Sequence, residues 1–185
     1  DEIISHAAAF VACAYPVRHQ DKPIHKAMLT AIASANKHNV PVVLTLGTQH
    51  LVSDNRDLLM SLIEKSVDVL AMNELEAEAL TGYDDPLQAA DYILDFVDMV
   101  LITAGPHGLY LCGHTSAELA RETSNPIKSD SLEDFNLYEF SRPMKRRDCH
   151  APIKVFSHID PYMGGPENIK NTNGAGDGAL SALLH

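Results

Sequence analysis

Close to the end of the chain, residues 171–179 read Asn-Thr-Asn-Gly-Ala-Gly-Asp-Gly-Ala, and an apolar run begins at Ala179. Gly174 and Gly176 let a backbone approach a ligand closely and take positive φ. An apolar run directly behind them predicts a helix. The first N–H groups of a helix have no intrahelical partner and carry partial positive charge. The amides of Ala175, Gly176 and Asp177 therefore suit an anion, phosphate above all. A carboxylate beside such a cradle repels phosphate unless its task is to take a proton. Moving a phosphoryl group onto an alcohol asks for that pairing, with donors around the group in transit and a base beside the attacking hydroxyl. Asp177 also fits a plain helix cap, and the spacing alone leaves both readings open.

Other residues have chemistry to offer and an ordinary structural reading beside it. Asn73 and Glu76, in "NELE", fit helix capping and a solvated face. Gly105 and Gly108, in "TAGPHG", fit hairpin geometry. Arg18 follows the first strand-like run, on the side where a crevice is expected; its guanidinium suits a phosphate, and a surface arginine is the plain alternative. His107, Cys112 and His114 lack the paired spacing of a structural zinc site, so no directly bound metal is expected. The basic patch Arg142–Arg147 reads as solvated charge. Tyr138, Phe140 and Tyr162 read as packing residues, although stacking on a flat ligand is the alternative.

The elements that must position these groups show in the hydrophobic pattern. Apolar, β-branched runs at Ala7–Tyr15, Val40–Gly47, Val67–Met72 and Val97–Gly105 predict strands. Between them, Pro23–Asn39, Ser53–Ser66, Asn73–Gly82 and Asp85–Phe96 predict helices, with Pro near two of the starts and Gly82 as a stop. Gly108–Gly113 predicts a strand folding back as a hairpin. Alternating strand and helix implies parallel strands with crossover helices, an α/β layered fold. Continuous apolar strands fit a sheet covered on both faces. From His114 to Lys170 the pattern weakens: Ser116–Ser124 suits a helix, Ile153–Ile159 a strand, and the rest reads as an irregular excursion.

Composition bounds the partners. The 185 residues are 45% hydrophobic and 21% charged, enough for one globular core. A formal net charge of -11 argues against general nucleic-acid or membrane binding, and the longest apolar runs are much shorter than a membrane span. Three scattered cysteines, Cys13, Cys112 and Cys149, suggest reduced thiols in a cytoplasmic protein. The chain begins without Met and ends in an apolar helical pattern with no stop signal. The expectation is a piece cut from a longer protein.

Taken together, "NELE", "TAGPHG" and "NTNGAGDGA", in this order, resemble the signatures of the ribokinase-like (PfkB) carbohydrate and nucleoside kinases. The stretches "NVPVVLTLGT", "AMNELEAEALTG" and "PYMGGPE" resemble the branch acting on inosine and guanosine. The resemblance implies a layered α/β/α fold with a mainly parallel sheet, ATP and Mg²⁺ as cofactors, and phosphorylation of a purine nucleoside at its 5′-hydroxyl in purine salvage. A sugar kinase or a non-catalytic purine-nucleotide-binding module is the alternative. By the same resemblance, Asp177 would be the catalytic base, and Gly174, Ala175 and Gly176 the anion hole. Thr103, Ala104, Gly105, Pro106, His107 and Gly108, together with Gly176, would meet ATP. Asn73 and Glu76 would order magnesium and phosphates through water, and Arg18 would meet nucleoside or product. The resemblance also implies that the substrate-side lid lies largely before this segment and part of the adenine pocket after it; the sequence leaves a homo-oligomer open. Many relatives have Asp where this chain has Asn171, in a monovalent-cation site, which leaves potassium dependence open. Many also carry an acidic or Asn-containing turn after the second strand, where this chain has Gly47, Thr48 and Gln49.

Overall fold

The computed structural model describes residues 2–122, 138–139, 145–161, 169, 171–172 and 174–185. Phe140, Tyr162, the Tyr138 side chain and the Arg142–Met144 part of the basic patch lie outside them.

Four strands run parallel as neighbours: β1 (Phe10–Cys13), β2 (Val42–Thr45), β3 (Val69–Asn73) and β4 (Met99–Thr103). Two antiparallel strands complete the six-stranded sheet, β5 (Leu109–Ser116) beside β4 and then β8 (Pro152–Ile159). A separate two-stranded ribbon pairs β6 (Arg121–Glu122) with β7 (Tyr138–Glu139). The helices are α1 (Glu2–Ser5), α2 (Pro23–Lys37), α3 (Gln49–Asp54), α4 (Arg56–Ser66), α5 (Glu74–Thr81), α6 (Pro86–Ile93) and α7 (Ala175–Leu184).

Strand alternation sorts the core into two layers. Val42, Leu44, Leu70, Met72, Val100 and Ile102 join one buried cluster with residues of α2 to α6, including Ile32, Leu59, Ile63, Leu80 and Leu87. Val43, Ala71 and Leu101 point the other way and pack against Leu180 of α7. The last helix is thus fastened to the opposite face of the sheet, and the glycine-rich segment at its entrance lies beside the carboxyl ends of the central strands.

Two predicted helices come out differently. The stretch Ser53–Ser66 is two helices, because α3 starts earlier, on the Thr48 side chain that accepts from the Leu51 N–H, and Asn55 interrupts it at φ -128°. The Asn55 side chain donates to the Leu51 carbonyl at 3.0 Å, so it satisfies the end of one helix before the next begins. Ser116–Ser124 does not open as an α-helix: β5 continues to Ser116, which pairs with Pro152, a short 3₁₀ turn follows at Ala117–Leu119, and Arg121–Glu122 is β6. Ladder pairing with β8 outweighs the local helix preference there. Within the described part of the basic patch, Arg147 is exposed, while Lys145 and Arg146 have acidic or carbonyl partners. Arg146 donates its backbone N–H to Asp98 Oδ1 at 2.8 Å and its guanidinium to the Asp95 carbonyl at 2.9 Å, and Lys145 faces Asp68. No described helix is long and apolar enough to cross a membrane.

Candidate active site

Parallel strands end together, so their carboxyl ends form a ledge where ligands of such sheets bind. Cys13, Thr45, Asn73 and Thr103 are the last residues of β1 to β4, and neighbouring pairs are in register, Cys13 with Thr45 and Asn73 with Thr103. All four line one cavity of about 550 Å³. Its other wall is the entrance to α7, with Thr172, Gly174, Gly176 and Asp177. Segments far apart in sequence therefore face one another across a single space.

Each wall has a local cause. Asn73 is the N-cap of α5 and forms a capping box with Glu76. The Glu76 N–H donates to Asn73 Oδ1 at 2.8 Å, the Asn73 N–H donates to Glu76 Oε2 at 3.0 Å, and Asn73 Nδ2 donates to Glu76 Oε1 at 2.9 Å. Glu76 is buried yet lines the cavity. Burial pushes its carboxyl above the ordinary range, and the backbone hydrogen bond from Asn73 pulls partly the other way.

On the opposite wall, Gly174 caps α7 in the left-handed region at φ 81°. Asp177 lies in the first turn of the helix and is not the cap residue, so the simple capping role does not apply to it. Asp177 is exposed, as are Ala175 and Gly176. The Ala175 N–H donates to the Thr172 carbonyl at 3.1 Å and the Gly178 N–H to the Gly174 carbonyl at 2.8 Å. An anion at this end would therefore meet the amides of Gly176 and Asp177 in preference to that of Ala175.

The remaining sequence candidates divide. Thr103 lines the cavity, but Ala104 is buried beneath the turn, and Gly105, Pro106 and His107 form an exposed 3₁₀ turn outside the cavity wall. Gly108 closes that turn at φ 89°. Arg18 also stands outside the wall. Its guanidinium lies 5.3 Å from the Tyr15 ring centroid and 3.5 Å from Thr48 Oγ1, at the rim.

Sequence reading missed Cys13, Tyr15, Thr45, Gly47 and Thr172 as wall residues. Gly47 had a usable signal, a glycine directly behind a strand. It sits at φ 101°, and a Cβ there would stand 3.1 Å from the Tyr15 ring. Thr172 lies inside the 171–179 stretch but carries no type-specific signal there, and Cys13, Tyr15 and Thr45 carry no local sign, because which strand ends meet depends on the order of the sheet. Of the metal candidates considered, Cys112 is fully buried and its thiol pushed up by burial, while His114 Nδ1 donates to the Asp98 carbonyl at 3.2 Å.

Comparison with known proteins adds to this geometry. Residues 2–128 match the pfkB family carbohydrate kinases. A guanosine-inosine kinase of Escherichia coli strain K12 is 53% identical over 186 residues, covering 100% of this chain and 43% of that protein; a counterpart from Escherichia coli O157:H7 matches to the same extent. The chain thus spans less than half the length of the curated relatives it matches. Among solved structures, adenosine kinase from Anopheles gambiae superimposes with a TM-score of 0.63 at 19% identity, over 99% of this chain and 46% of that one. Aminoimidazole riboside kinase from Salmonella enterica gives 0.59 at 17% identity, over 95% and 46%. At such identities the structural likeness shows a shared fold.

Proposed function

This chain belongs to the pfkB family of carbohydrate kinases, and from that premise we propose that the protein transfers the γ-phosphoryl group of ATP to the 5′-hydroxyl of guanosine and inosine. The products are GMP and IMP, and the role is purine salvage. The observation that carries this reading is the meeting of Asp177 with Asn73, Glu76 and Thr103 around one cavity. The choice of nucleoside rests on the 53% identity to guanosine-inosine kinase. The free thiols of Cys13, Cys112 and Cys149 fit a cytoplasmic setting.

In this reading, Asp177 takes the proton of the 5′-hydroxyl as its oxygen bonds to the γ-phosphorus and the bond to the departing ADP breaks. The Gly176 and Asp177 amides, at the positive end of α7, offset charge gathering on the phosphoryl oxygens. Placing acceptor and donor at one ledge supplies the orientation. Glu76 is a single carboxylate whose oxygens keep lone pairs after accepting from Asn73, a donor set suited to a hydrated cation. Asn73 and Glu76 would hold Mg²⁺ through water, and the ion supplies neutralisation of phosphate charge.

The deciding experiment is a labelled-ATP transfer assay on the full-length protein with guanosine, inosine, adenosine, ribose and fructose. Transfer to guanosine and inosine above the rest is expected. Preference for a free sugar, or nucleotide binding without transfer, would overturn the reading.

A further inference from the structure

Strand β8 comes from the stretch with the weakest sequence pattern, yet it touches the Thr103–Gly108 turn directly. His158 Nε2 lies 2.6 Å from the His107 carbonyl oxygen. A carbonyl only accepts, so Nε2 carries the proton and donates. Nδ1 faces the Asp160 carboxylate at 3.6 Å, and the His158 side chain is only 23% exposed. Its ring packs on Tyr110, with centroids 4.9 Å apart. The ring is therefore held from one side by packing and aims its donor at the turn.

The turn is shaped to receive it. Gly108 has φ 89° and presents its bare Cα to β8; a Cβ there would run into the Ile159 carbonyl and stand 3.2 Å from His158 Nε2. Within the turn, the Ala104 N–H donates to the Gly108 carbonyl at 2.8 Å, the His107 N–H to the Ala104 carbonyl at 2.8 Å, and the Gly108 N–H to the Gly105 carbonyl at 3.2 Å. The bond to the His107 carbonyl is of another kind, because its donor comes from a different strand.

We infer that His158 is a positioning residue: its Nε2–H bond to the His107 carbonyl clamps the turn that follows Thr103 and so fixes the cavity-lining end of β4, where the kinase reading seats the nucleotide. This deepens the kinase reading and rests on it. It assigns a task to β8, a strand outside the motifs used so far.

The test uses full-length protein with His158→Phe, which keeps a ring against Tyr110 but removes the donor, and His158→Gln, whose amide restores one. Hydrogen exchange of the amides in residues 104–109 reads the clamp without reference to activity. Kinetics read its consequence. Expected for His158→Phe are faster exchange in the turn and a KM for ATP raised roughly fivefold, the worth of one such bond, with KM for guanosine and kcat little changed. His158→Gln should recover most of both. Unchanged exchange or unchanged KM for ATP in His158→Phe would overturn the clamp, and so would equal losses in the two variants, which would mean that packing alone matters. If the parent protein moved no phosphate, the kinase reading would fail by itself, and exchange in the turn would still decide the clamp.

Discussion

Asn73 and Glu76 hold one another through three hydrogen bonds, two given by the asparagine and one returned by the glutamate backbone. The pair closes the gap between the last residue of β3 and the first turn of α5. It also leaves the glutamate buried while it lines the cavity. One device thus ends a strand, starts a helix and sets a carboxylate at the candidate site. Its electrostatic cost is visible in the raised pKa of Glu76, for which burial is the larger cause.

That cost has a measurable sign. The folded protein keeps the Glu76 proton to higher pH than the unfolded chain does, so the group's contribution is full below its ordinary 4.5 and is lost as pH rises through the raised folded value. Glu76→Gln removes this titration. Urea unfolding of parent and variant between about pH 4 and pH 7 should show the difference moving against the parent as pH rises. A difference independent of pH would mean that Glu76 titrates as it does in an open chain.

Two glycines of one turn should respond unequally to alanine. Gly105 has φ 50° and open space where a Cβ would go, so Gly105→Ala carries mainly the left-handed penalty, about 1 kcal/mol. Gly108 has φ 89° and ψ -140°, a region almost reserved for glycine, and its Cβ would meet the Ile159 backbone. Gly108→Ala should cost about 3 kcal/mol or more. Equal unfolding midpoints for the two variants would contradict the placement of β8 against the turn.

The contrast between these glycines also shows what the sequence could reveal. Their type and spacing were readable, and so were the apolar strands, the Asn73 to Gly82 helix and the α/β class, because each depends on neighbours in sequence. The break at Asn55 was not, since serine, aspartate and asparagine in a row offer more than one helix start. Nor was the end of β5, where pairing with Pro152 decides the backbone. Asp177 was singled out from the glycine loop and Asn73 through motif resemblance, and both line the same cavity. Cys13, Tyr15, Thr45 and His158 were missed because each gains its place from sheet order, which joins segments distant in the chain.

Arg18 tests the rim. It rests between the Tyr15 ring and Thr48, exposed and outside the cavity wall, so its removal should leave stability nearly unchanged. A guanidinium that meets a nucleotide phosphate gives charge-assisted hydrogen bonds. Arg18→Ala should weaken GMP binding by roughly tenfold in calorimetric titration, with little effect on guanosine. Unchanged GMP affinity would leave Arg18 as a surface residue packed on Tyr15.

Asp177 separates a helix-end role from a chemical one. As a carboxylate in the first turn of α7 it favours the helix dipole, an effect of about 0.3–1 kcal/mol in stability. As the base for the nucleoside hydroxyl it controls the rate, by about 10² to 10⁴. Asp177→Asn keeps the shape and the backbone amides but removes the proton acceptor. In the full-length protein it should unfold at nearly the parent's urea midpoint and bind guanosine within about threefold of the parent, while kcat falls by at least about a hundredfold. Near-parental turnover would strip Asp177 of the base assignment, and the cavity between α7 and the strand ends would then need another acceptor for the proton.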